Sequence, residues 1–211
     1  MGLSILIDRG QVSLDSRLVD LLPEDCPPRP SARMKTITLR HLLTMTAGVT
    51  DVGEGAAVTV EDWKKTFLSS SVATQPGKRF FYNSMNTYML SAVIERVSGM
   101  TLEDFLRENL LHPMGIRTFF CEKSPEGIGK GGWGMFLAPP DMAKLGQLLL
   151  QGGQWEGRQL LPRDFLVEAT KSQVVTGEGG SPWWSGLVRA GVSLVGWAVK
   201  EGKRRSTLLT L

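Results

Sequence analysis

Pro76-Gly77-Lys78-Arg79-Phe80-Phe81-Tyr82-Asn83-Ser84-Met85-Asn86-Thr87-Tyr88, running on to Ser98-Gly99, is the stretch on which the fold turns. Pro76-Gly77 reads as a turn. From about Asn86 to Ser98 the spacing predicts a helix, with Met89, Val93 and Val97 on one stripe, Leu90 and Ile94 beside it, and Gly99 as its stop. Tyr82 falls at the junction of loop and helix. At a helix N-terminus the dipole favours the ionised form of a phenol, and a nearby lysine would favour it further. Such a phenolate can act as general base on a serine hydroxyl. Equally, Tyr82 can pack under the loop with Phe80 and Phe81 as an ordinary aromatic, and the residues alone leave both readings open.

Working outward, the sequence is mainly helical up to about residue 172. Gly2 to Asp8 reads as the last two turns of a helix, stopped at Gly10. Asp15 to Leu22 predicts a short helix ended by Pro23, and Cys26 to Pro30 must be extended because prolines exclude the helix. Thr38 is an N-cap for Leu39 to Met45, with Gly48 as the stop, and Thr59 and Asp62 resemble a capping box opening a helix through Trp63 and Phe67. Downstream, Thr101 caps Leu102 to Leu111, Ser124 to Gly134 is a glycine-rich loop, Pro139-Pro140 opens a helix ended by Gly152-Gly153, and Pro162 starts a last short one.

Composition narrows the function. Of the 211 residues, 42% are hydrophobic and 21% charged, the balance of a soluble globular domain. The net charge of +3 resides in the stretch from Lys200 to Arg205, a solvated basic tail on a neutral body, which gives no footprint for nucleic acid. No apolar run reaches membrane-spanning length and no signal peptide is visible. Cys26 and Cys121 are read as reduced thiols. The two histidines, His41 and His112, sit at helix ends and read as structural, and no zinc motif, nucleotide loop or Gly-x-Ser-x-Gly elbow occurs. Neither a cofactor nor a metal is expected.

Several ordered segments resemble the β-lactamase-related serine hydrolases, meaning class C β-lactamases, esterases of that fold and D-Ala-D-Ala peptidases. They are Ile7 to Asp15, Ile37 to Gly48, Pro76-Gly77 through Tyr82 with Ile94 to Gly99, Leu111 to Ile116, and Gly131-Gly132-Trp133-Gly134 with Asp141 to Lys144. In that family a Ser-x-x-Lys carries nucleophile and lysine one turn apart, a Tyr-x-Asn supplies the proton-sharing tyrosine, and a Lys-Thr-Gly or His-x-Gly strand lines the far side. The resemblance makes Tyr82 the catalytic tyrosine and Asn83, Ser84 and Trp133 candidates for substrate binding. Ser84 stands where asparagine is usual, which points away from dedicated β-lactamases and toward an esterase or peptidase-like relative.

No serine or threonine in the sequence has a lysine three positions later. The resemblance places that motif just before Met1, and an in-frame Ser-x-x-Lys roughly ten residues upstream would restore it. The third motif is not found either, and Arg189-Ala190-Gly191 imitates it by chance. The implied fold is the helical lobe of the α+β β-lactamase/transpeptidase-like fold, with little or no intact antiparallel sheet. Residues 1–172 form the partial domain, and 173–211 a divergent, frame-shifted or disordered basic tail. The implied function is part of a serine hydrolase cleaving an ester or amide (β-lactam, D-Ala peptide or small ester) through an acyl-serine, inactive alone. A non-catalytic binding relative that keeps the Tyr82 side of the cleft is the alternative. Relatives of this kind are often exported. Apolar surface left open where a sheet would pack implies self-association.

Overall fold

The computed structural model describes residues 1–52 and 60–174. Its helices are α1 (Gly2–Asp8), α2 (Leu18–Leu21), α3 (Leu39–Leu43), α4 (Trp63–Ser69), α5 (Ser84–Ser98), α6 (Leu102–Leu106), α7 (Pro139–Leu150) and α8 (Arg163–Ala169). The mainly helical expectation holds. Among the described residues the only sheets are two antiparallel pairs: β1 (Phe119–Cys121) with β2 (Met135–Leu137), and β3 (Gln154–Trp155) with β4 (Arg158–Gln159).

α5 is the axis of the fold. Every residue from Ser84 to Ile94 is buried on it, and α1, α2, α3, α4 and α6 all pack against it. A helix buried on all sides must be covered by several partners, and Leu6, Leu18, Leu39, Leu42, Phe67 and Phe105 supply that cover. Asn83 caps the helix two residues earlier than the apolar spacing predicts, and Gly99 closes it at φ 69° in the left-handed conformation.

Local chemistry sets the other boundaries. Asp62 is the N-cap of α4, its carboxylate accepting the Lys65 N–H at 2.9 Å, while Thr59 lies outside the described residues. α3 ends at Leu43, short of the Gly48 expected as its stop, because Met45 already turns left-handed at φ 56°. α2 covers only Leu18–Leu21, and Pro23 opens a separate turn. The single helix predicted from Leu102 to Leu111 is α for five residues, then widens into a π turn over Arg107–Leu111. That change of pitch buries Leu110 and Leu111 together. Both thiols are free; Cys121 is buried and pushed up to about 11 by that burial. No helix among the described residues is long and apolar enough to cross a membrane, and none of their His, Cys, Asp and Glu side chains cluster to hold a metal.

Candidate active site

The Tyr82 loop is laid on the segment that follows α3. Gly77 N–H donates to Thr46 O at 2.9 Å, and Phe81 N–H to Met45 O at 2.8 Å. The bed is itself pinned. Ala73 N–H donates to Gly48 O at 2.8 Å, and Arg33 donates to the carbonyls of Val72 and Ala73 at 2.9 and 3.0 Å. Met45, a non-glycine residue at positive φ, carries backbone strain beside the loop, as functional sites often do. His41 anchors the start of the bed. Its Nδ1 accepts the Thr38 N–H at 3.1 Å, which closes a capping box on α3.

Tyr82 is half-buried, and its hydroxyl accepts from Ser84 Oγ at 3.4 Å. Loop and helix thus place two hydroxyls together at the N-terminal end of α5. Asn83, between them, turns inward. It is 4% exposed; its Oδ1 accepts the Met85 N–H at 2.9 Å, and its Nδ2 donates to Val49 O at 3.1 Å and Val52 O at 2.7 Å. One turn on, Asn86 is also buried, with Nδ2 3.4 Å from Met45 Sδ and an Oδ1 that has no partner among the described residues.

The glycine loop closes over the first two turns of α5. A Cβ on Gly132 would come within 2.8 Å of the Ser84 carbonyl oxygen, and one on Gly131 would overlap Ser91 Oγ. These glycines let one backbone pass against another. Trp133 follows them and stacks on Trp63, ring centroids 5.7 Å apart and planes 20° apart. Lys130, paired with Glu122 at 2.8 Å, sits 5.6 Å from the Trp133 centroid. Trp133 therefore has a packing partner in the structure, with part of its surface open.

The support behind the site was not visible in the sequence. Tyr88 is fully buried, edge-on to Trp63 at 5.1 Å, with its hydroxyl 3.2 Å from Ser124 Oγ and 3.1 Å from Glu126 Oε2. The other Glu126 oxygen accepts the N–H groups of Trp63 and Lys64 at the start of α4. Burial first, then the charge of Glu126, pushes the Tyr88 phenol far above its usual range. No local pattern connects Glu126 to a helix start some sixty residues away, so only the fold reveals it. A separate groove of about 470 Å³ opens at the other end of α5, where Asp25–Lys64 and Glu24–Arg96 pair within its walls.

The Beta-lactamase family model matches residues 1–207. The chain belongs to the Beta-lactamase family. The match to this family runs beyond residue 172, the boundary expected from the sequence. Two relatives are similar at the sequence level. One is monacolin J acid methylbutanoyltransferase of Aspergillus terreus, 29% identical over a 149-residue alignment that covers 59% of this chain and 36% of that protein. Another is esterase EstB of Burkholderia gladioli, 26% identical over a 139-residue alignment that covers 57% of this chain and 35% of the relative. Among solved structures, the octameric penicillin-binding protein homologue from Pyrococcus abyssi superposes with a TM-score of 0.66 at 20% identity, over 84% of this chain and 47% of that one. That likeness shows the fold. The chain spans about a third of the length of the relatives named here.

Proposed function

We propose that this chain carries the tyrosine side of an acyl-transfer site, acting on a small ester or amide (a β-lactam, a D-Ala peptide or a simple ester) through an acyl-serine intermediate. The observation that carries the reading is the Tyr82 hydroxyl beside Ser84 Oγ at the N-terminal end of α5, on a motif that resembles the one bearing this family's proton-sharing tyrosine. Tyr82 takes the nucleophile's proton; Ser84 Oγ stands beside its hydroxyl and the open part of Trp133 faces the substrate, while the Asn83 carboxamide is engaged by backbone. The named relatives include an acyltransferase and an esterase, two outcomes of one acyl-serine depending on whether an alcohol or water accepts the acyl group.

The 211 residues contain no Ser-x-x-Lys, so this polypeptide by itself lacks the group that would be acylated. Assayed with p-nitrophenyl acetate and nitrocefin, it is expected to give no saturable, phosphonate-sensitive turnover. Extended upstream with an in-frame Ser-x-x-Lys segment, it is expected to gain such turnover, and Tyr82→Phe should then lower kcat by about 10²–10⁴-fold, the usual worth of a general base. Phosphonate-sensitive turnover by the unextended chain, or a Tyr82→Phe enzyme as fast as its parent, overturns the reading.

A further inference from the structure

The sequence offers Asn83 as a substrate contact; the structure makes it the cap of α5 and gives it a further task. A cap needs only an acceptor, and Oδ1 provides it to Met85 N–H. Nδ2 is spent elsewhere, on two carbonyls of a different segment, Val49 and Val52, at 3.1 and 2.7 Å. Both carbonyls belong to the stretch beyond Gly48, whose own carbonyl is held by Ala73. On the other side of Tyr82, Phe81 N–H is held by Met45 O. Tyr82 is therefore bracketed by two anchors that both lead to the single segment Met45–Val52. The Asn83 anchor is the one made by a side chain, and at 4% exposure it is dry.

We infer that Asn83 is the positioning residue of this site: its carboxamide locks the Tyr82 loop onto the Val49–Val52 segment and so fixes where the phenol hydroxyl stands. The inference rests on the reading of Tyr82 as the site's base, and its mechanical part is tested separately. Only a carboxamide at this position satisfies the cap and both carbonyls at once. Serine keeps the cap oxygen and loses both donors; aspartate keeps the cap and sets a carboxylate against two carbonyl oxygens.

The chain has two tyrosines, so fluorotyrosine labelling yields two fluorine resonances, assigned with Tyr82→Phe. In Asn83→Ser the Tyr82 resonance is expected to move or broaden while that of Tyr88 stays, and nitration of Tyr82 by tetranitromethane should quicken several-fold. Thr101→Ala, which removes the cap of α6, serves as the control and should leave both resonances in place. An Asn83→Ser protein whose Tyr82 resonance and nitration rate match the parent's overturns the inference. Should that variant unfold, the parent decides: the Asn83 side-chain NH₂ protons should exchange at least about tenfold more slowly than those of an unbonded asparagine. Free-asparagine exchange at Asn83 overturns the inference in the same way. If Tyr82→Phe leaves the extended enzyme's turnover intact while Asn83 still holds the loop, the base assignment fails and the clamp stands.

Discussion

Tyr82 and Tyr88 sit on one short stretch of sequence and do opposite things. Tyr82, half-buried, has its hydroxyl beside Ser84 Oγ; Tyr88 is sealed in the core, holding Ser124 and Glu126. Burial and the adjacent carboxylate keep the Tyr88 phenol neutral. Tyr88→Phe removes a hydroxyl from a buried acceptor and should cost about 1–2 kcal/mol, read as a lower urea midpoint with an unchanged slope. Tyr82→Phe should stay within about 0.5 kcal/mol of the parent. His41 carries a pH signature. Burial, the largest cause, holds its pKa below the usual value, so the fold keeps it neutral, as an Nδ1 that accepts from Thr38 requires. The unfolded chain binds the proton first as pH falls below about 6.5, so His41's contribution is full above that value and is lost on acidification. His41→Gln keeps a capping-box acceptor without the titration. Urea midpoints at pH 8 and pH 5.5 should therefore fall further for the parent than for His41→Gln; equal falls would assign the acid sensitivity to other groups.

At the scale of elements, what could be read early was local. Thr38, Thr101 and Gly99 announce helix ends because a cap satisfies its own backbone within one turn. β3–β4 was invisible for the opposite reason. Two-residue strands carry no alternation, and the hairpin is made by Glu156 and Gly157 at φ 45° and 80°, a turn that right-handed strand twist favours. Of the candidate site, Tyr82 and Ser84 could be nominated from the sequence because they lie in one short local motif. The Asn83 clamp and the Glu126 cap could not, since their partners are distant in sequence. Glycines separate along the same line. Gly132 lies against the Ser84 carbonyl, and Gly132→Ala must push the loop from α5, at about 1–3 kcal/mol. Gly146 stands within α7 at ordinary helical φ with open space where a Cβ would go. Gly146→Ala should stabilise by about 0.5–1 kcal/mol, because alanine is the better helix former. Thermal melts of the two variants should move in opposite directions; a destabilised Gly146→Ala would contradict the space seen there.

For the molecule as a whole, the unexplained surface is the β1–β2 ribbon. Phe120 and Phe136 face each other across it, each 56% exposed, ring centroids 5.9 Å apart. Among the described residues this ribbon pairs with no third strand. An aromatic pair on a two-stranded ribbon joins two hazards, an apolar patch and unpaired backbone edges. We propose this ribbon as the place for the self-association expected from the sequence. Sedimentation velocity at about 10 and 100 µM should show concentration-dependent association, a range suited to a small contact. The double variant Phe120→Thr, Phe136→Thr keeps β-propensity and removes the rings, and it should sediment as monomer at both concentrations. Salt separates this surface from the basic stretch at Lys200–Arg205. Association through the rings should persist or strengthen as sodium chloride rises, because apolar burial is not screened. Association through the basic stretch would dissolve under the same salt and survive the double variant, and that outcome would remove the ribbon as the interface.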